Sequence, residues 1–240
     1  MPCIYFSNLW KMRTNRTRRV GKRNRHAKRE SAGTVTQDYL ETRRKGSIMF
    51  DREKVEKAVY TLLEGFGEDP NREGLAETPR RVAGYWEELL EGNNYTNREI
   101  AEKYSKKFLV NSDPLVVKEV KDVYSHCEHH LALMYNMSVV VAYIPNQVGD
   151  KYEVIGLSKI PRIVDMCAKR LQLQEKLAED IAECISIATG SKDVFVNIVA
   201  DHACVSARGA KSDGTTDVTY LGGKFKENSD LRNEIERKLR

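Results

Sequence analysis

Three of the chain's five histidines and one of its five cysteines crowd into "SHCEHHL", residues 125–131, and a second group, "DHACVSARG", follows at 201–209. Cys127 and His130 stand in C-x-x-H spacing, and Cys204 lies two residues beyond His202. Thiolate and imidazole are donors that suit zinc, and three of them leave a fourth position open, as catalytic sites do. Spacing alone leaves a second reading standing, in which the cysteines are small buried hydrophobes and the histidines satisfied polar groups. If Cys127, His130 and Cys204 do hold a metal, His129 and His202 remain beside it as groups that titrate near neutral pH and can carry protons. A metal ion also lowers the pKa of bound water toward neutrality, so the reaction class suited to this pattern is addition of water to a carbon electrophile.

A third set of residues is basic. Lys159 and Arg162 fall on the first turn of an expected helix capped by Ser158, Arg208 follows the second cluster, and Arg81 sits in "ETPRR". Cationic side chains at a helix N-terminus favour a polyanion such as a phosphate chain, although most Lys and Arg are merely solvated. Glu175 in "RLQLQEKL" has two readings, an ordinary helix-surface charge or a carboxylate that reads the N–H edge of a base. Cys167 and Cys184 fall on apolar helix positions and read as core.

The elements that must position these residues follow from periodicity. Val55, Val59, Leu62, Leu63 and Phe66 recur at helical spacing after Met49. A second helix begins at "ETPRRVAGYWEELLEG", with Thr78 as cap, Pro79 at the first helical position and Gly92 as the stop. "DPLVVKEVKDVYSH" and "MSVVVAYIP" read as an antiparallel pair of strands joined at the histidine cluster. Ile160, Ile163, Val164 and Cys167, then Leu173, Leu177, Ile181 and Ile185, mark two consecutive helices. "DVFVNIVAD" alternates cleanly as a strand and "TTDVTYLGG" more weakly. The order is ββααββ behind a helical segment, an α+β pattern with helices on one face of an antiparallel sheet.

Composition sets the frame: 40% hydrophobic and 31% charged residues, the balance of a globular protein, with no apolar run long enough for a membrane span. Five scattered cysteines without a secretory h-region argue against a disulfide framework and for a reducing, cytoplasmic setting. The net charge of +5 divides unevenly, because residues 1–48 carry 13 Lys/Arg against 3 Asp/Glu and the remainder is net acidic. That division sets off a basic tail at 1–48, behind which the elements give a helical segment at 49–112 and a ββααββ domain at 113–240 that carries both clusters. The tail's dense like charge and lack of period predict disorder. Its alternatives are a solvated leader without a role, sequence upstream of a start at Met49, an organelle-targeting peptide, and a nucleic-acid-binding arm.

Taken together and in order, "ETPRR", "SHCEHHL", "VAYIP", "VIGLSKIPRIVD", "RLQLQEKL", "HACVSARG" and "LGGKF" closely resemble the GTP cyclohydrolase I family, over about residues 50–226. The resemblance implies the tunnelling fold (T-fold), whose ββααββ core agrees with the order above, in toroidal homodecamers with active sites between subunits. It implies that Cys127, His130 and Cys204 bind Zn2+ and that the substrate is GTP. Water adds at C8 of the guanine, C8 leaves as formate, and rearrangement of the ribose with reclosure gives 7,8-dihydroneopterin triphosphate. The resemblance makes His129 and His202 the proton-transfer residues and Gln174 with Glu175 the readers of the guanine edge. It also places Ser158 near the ribose and phosphates, sets Lys159, Arg162 and Arg208 on the triphosphate, and brings Arg81 in from a neighbouring subunit. His126 has no role in that pattern and reads as an ordinary flanking residue. Two departures stand out. "LALMYNMS" is one residue longer than usual, with Asn136 near a glycine-bearing hairpin turn, and "QVGDKYE" at 147–153 is a longer loop before the phosphate-binding helix.

Overall fold

A computed structural model describes residues 50–239. The expectations for the basic tail at 1–48 lie outside the described residues. Among those described, no helix is long and apolar enough to cross a membrane.

Two helices lead. Asp51 caps α1 (Arg52–Gly65), its side chain accepting from the Lys54 N–H at 2.9 Å, and α2 (Thr78–Leu89) packs against it. The apolar stripe expected of α1 is present, yet no residue of α1 is buried; Leu62 is 52% and Phe66 69% exposed. Thr78 is not the cap of α2. It is already the first helical residue, Glu77 precedes it without a capping side-chain bond, and Pro79 takes the second position. Gly92 does not stop α2 directly, since that helix ends at Leu89 and Gly92 lies in a following 3-10 turn, Glu91–Asn94. A Cβ there would come within 2.2 Å of the Met166 carbonyl oxygen, so the residue is glycine because another backbone abuts it.

A short helix not expected from the sequence, α3 (Asn97–Lys103), is held by a capping box in which Thr96 and Glu99 satisfy each other's backbone N–H groups. It is joined to the main domain by a buried ion pair. Arg170 donates to Asp180 at 2.9 Å, to Asn97 at 2.7 Å and to the carbonyls of Gly92 and Tyr95, and Lys176 closes on the same Asp180. Four of the guanidinium's N–H groups are thus paired where it is buried, and such pairing is the condition for a buried ion pair to be tolerated.

The main sheet has five strands in the order β6-β2-β3-β7-β8. These are β2 (Val116–Cys127), β3 (Ala132–Tyr143), β6 (Leu171–Gln172), β7 (Val194–His202) and β8 (Thr216–Leu221), antiparallel except for the two-residue β6, which runs parallel to β2. Between β3 and β7 come α4 (Lys159–Ala168) and α5 (Gln174–Thr189), so the ββααββ order holds. Alternation along β3 divides the core. Val139, Val141 and Tyr143 face α4 and α5 with Ile160, Ile163, Leu177, Ile181 and Ile185, while Val140 and Ala142 face the other way. The core helices α4 and α5 thus share one face as expected, and after the four-residue α6 (Ala203–Ser206) the C-terminal helices α7 (Lys224–Glu227) and α8 (Ser229–Leu239) cover part of the other through Phe225 and Ile235. Cys167 and Cys184 are core as expected, fully buried with sulfurs 3.6 Å apart.

A smaller sheet, β1-β5-β4, joins β1 (Lys107–Val110), β4 (Asn146–Val148) and β5 (Lys151–Ile155). The segment read as an added loop is therefore a hairpin, turned at Gly149 and Asp150 with Gly149 at φ +66°, a conformation that glycine takes without strain. Asn136 does adopt the left-handed conformation, φ +48°, but within β3 and beside a shift of register, so it marks a β-bulge. The hairpin turn itself is at 128–131, where Leu131 carries φ +53°.

Candidate active site

The β2–β3 hairpin ends in the turn 128–131, and β7 ends at His202 beside it, since Met134 of β3 pairs with His202. β6 lies along the other edge of β2, pairing Cys127 with Gln172 and leading straight into α5. Cys127, His202 and Cys204, 77 residues apart at the extremes, thus arrive at one end of the sheet, with their ligand atoms all within 4.8 Å of one another. Donors around a tetrahedral zinc are roughly 3.5–4 Å apart, given bond lengths of about 2.0–2.3 Å. Two thiols and an imidazole at this separation fit zinc in kind and nearly in distance. Burial pushes the Cys204 thiol above its ordinary pKa, and the neighbouring Cys127 adds to the rise through its charge and a hydrogen bond. A cation between the two sulfurs reverses that penalty by favouring both thiolates.

His130, the histidine expected in this group, is not among the three. It is exposed on the turn, as are Glu128 and His129, and its ring meets that of His129 edge-on at 6.5 Å. His202 takes its place in the cluster and is held there from behind. Its Nε2 lies 2.8 Å from Oε1 of Gln174, the first residue of α5.

The remaining expected residues divide by position. Glu175 is exposed in the first turn of α5, where the helix dipole also favours a carboxylate. Gln174 beside it is only 2% exposed, and its amide donates to the carbonyls of Ile198 at 2.8 Å and Thr216 at 3.0 Å. Its side chain is thus engaged inside the protein rather than offered to a base. Ser158 occupies the N-cap position of α4 but makes no capping bond and is exposed. Lys159 is half-buried with its ammonium 6.0 Å from the centre of the Tyr104 ring, and Arg162 is exposed on the same helix. Arg208, just past Cys204, and Arg81, on α2, are both exposed.

His126, set aside in the sequence, is 3% exposed and packed into the N-terminal helices. Its Nε2 shares a 2.9 Å hydrogen bond with the Tyr85 hydroxyl, and its ring meets Trp86 edge-on at 4.7 Å. Burial depresses its pKa below the usual imidazole value. It fastens α2 to β2 immediately before Cys127. Nothing local in "SHCEHHL" signals this, because the partners come from residues about 40 positions earlier.

The chain has relatives of known description. The family GTP cyclohydrolase I matches residues 55–240. GTP cyclohydrolase 1 of Clostridium beijerinckii is 46% identical over 192 residues, covering 77% of this chain and 94% of that protein. The protein of the same name from Ruminiclostridium cellulolyticum is 50% identical over 196 residues, covering 78% and 97%. That of Clostridium acetobutylicum is 48% identical over 190 residues, covering 77% and 95%. A solved dihydroneopterin aldolase from Burkholderia thailendensis aligns with 45% of this chain at 15% identity and a TM-score of 0.29, too low to bear on the fold.

Proposed function

The chain belongs to the GTP cyclohydrolase I family, and from that premise we propose that it opens the imidazole ring of GTP, releases C8 as formate and forms 7,8-dihydroneopterin triphosphate, on a tunnelling fold. The observation that supports this most directly is the convergence of Cys127, His202 and Cys204 at the sheet end where α5 presents Glu175.

Zinc suits the two thiols, and when bound it supplies a Lewis acid that activates water for attack on carbon. We assign Cys127 and Cys204 to the ion. His130 is the third ligand on the family pattern, three residues from Cys127 across the hairpin turn, and it must turn inward from its exposed position to serve. His202, already beside both sulfurs, is then the group that exchanges protons with the purine ring as water adds at C8, with His129 as its counterpart on the turn. The Glu175 carboxylate accepts from the N1–H and 2-amino group of guanine, a pair of donors that adenine does not present. Lys159, Arg162 and Arg208 neutralise the triphosphate beside Ser158, and charge-assisted contacts of this kind hold the nucleotide while the ring reacts.

Arg81 is exposed on α2, and the uncovered Leu62 of α1 and Phe66 just past its end suit a chain that packs against further copies of itself. We therefore read the working form as a homo-oligomer in which Arg81 reaches a neighbour's triphosphate, with a decamer as the expected size. The free thiols suit a reducing compartment such as the cytoplasm. The direct test incubates the full chain with GTP and follows formate and pteridine absorbance before and after chelation. Equimolar formate and pteridine, lost with the metal and regained with zinc, are expected; zinc-loaded protein that leaves GTP intact would refute the assignment.

A further inference from the structure

Gln174 is one of the most enclosed polar side chains among the described residues, and its carboxamide makes three hydrogen bonds. Both of its N–H bonds run to backbone carbonyls, Ile198 of β7 at 2.8 Å and Thr216 of β8 at 3.0 Å, and a carbonyl can only accept. Turning the amide over would set its oxygen against those two oxygens, acceptor against acceptor, and give up both bonds. The orientation is therefore fixed by the two strands. The oxygen must face His202, and the 2.8 Å contact requires a proton on Nε2 of the imidazole.

We propose that Gln174 is a positioning residue that fixes His202 as the Nε2–H tautomer, leaving Nδ1 as the one nitrogen with a lone pair on an imidazole that lies beside Cys127 and Cys204. Neutral imidazole carries one proton, and which nitrogen holds it is set by the hydrogen bond the other partner demands. Gln174 makes that demand from a residue that is itself immobilised. The guanine edge is left to Glu175, so the adjacent Gln174 and Glu175, expected to share one task, perform two. The catalytic consequence rests on the hydrolase reading, but the tautomer does not.

The two can be separated by measuring both. The 15N spectrum of the full chain labelled at histidine, recorded as purified and after chelation, reports each imidazole's protonated nitrogen, and a His202→Asn sample identifies the His202 signals. Nε2–H is expected in both states; a wild-type chain with its proton on Nδ1 would overturn the proposal without any variant. In Gln174→Met, which keeps the volume and removes the acceptor, the Nε2–H preference should be lost. In the same variant kcat should fall about 10- to 100-fold, as for other orienting partners of this kind, with KM for GTP changed less than about threefold. A rise in KM with kcat unchanged would show that Gln174 reads the base and would also overturn the proposal. An Nε2–H signal in a chain that does not turn over GTP upholds the tautomer and rejects the hydrolase reading instead.

Discussion

The site has two halves that bring histidines in different ways. His202 ends a strand in the middle of the sheet and is gripped by a buried amide whose own hydrogen bonds are all committed. His129 and His130 ride on the tip of a hairpin, exposed, with each other's ring as their neighbour. The first half is organised by the fold of one chain before anything binds. On the function proposed above, the second would take its final geometry from the metal ion or the substrate. Preorganised groups are the efficient ones for reactions that develop charge, because the protein does not have to reorient them as the reaction proceeds. A metal ligand drawn in from a turn can be positioned by the ion itself.

The sulfurs bridge the two halves, so removing one should have the largest effect. Cys204→Ala is expected to lose both zinc and GTP turnover, read by metal analysis and formate release on the same sample. Zinc retained at full stoichiometry would remove Cys204 from the ligand set. The histidines then separate the halves. His130→Ala should lose zinc, whereas His202→Ala should keep it and lose about 10²- to 10⁴-fold in kcat, the usual range for a missing proton-transfer group. The reverse pattern, zinc lost with His202 and kept with His130, would make the organised half the metal half, as the three-residue cluster at 4.8 Å would have it. Glu175→Gln should act more mildly and on binding, raising KM for GTP roughly 10- to 100-fold by the loss of about 1.5–3 kcal/mol of charge-assisted hydrogen bonding. An unchanged KM would return Glu175 to the role of helix-surface charge.

Both halves were legible in the sequence as residue types, and the difference between them was not. The helices α4 and α5 and the strands β3 and β7 carry a sustained apolar period, because each buries a face along most of its length, and β2 does so from Val123 onward. β1, β4 and β6 are two to four residues long and show no period, and α3 is a seven-residue helix whose one signal was its capping pair, Thr96 and Glu99. α8 could have been found from Leu231 and Ile235, four apart, after Ser229. Gln174 and His126 belong to a different class. Their burial depends on partners 24 to 42 positions away, on strands and helices that meet them only in the folded chain, so no local pattern distinguishes them from solvated residues.

The smallest effect should come from the link between the site and the N-terminal helices, and it separates holding a site from performing its chemistry. Tyr85→Phe removes the hydroxyl that His126 bonds at 2.9 Å while keeping the ring in place. It should lower stability by about 1–2 kcal/mol, read from the denaturant midpoint, with zinc content and kcat unchanged. A fall in kcat would make the link part of the chemistry. The pH dependence of stability tests the same histidine. Unfolded, His126 titrates near its ordinary value of 6.5; folded, burial holds it neutral to lower pH. The unfolded chain therefore takes the proton first, so the stabilising difference is whole above about pH 6.5 and is lost as pH falls from there toward the folded pKa. In metal-free protein, the loss of stability between about pH 7.5 and 5.5 should be smaller for His126→Phe than for the wild type. Equal losses would mean that His126 takes up its proton in the folded state at no cost, and that the neutral imidazole is not what the Tyr85 contact requires.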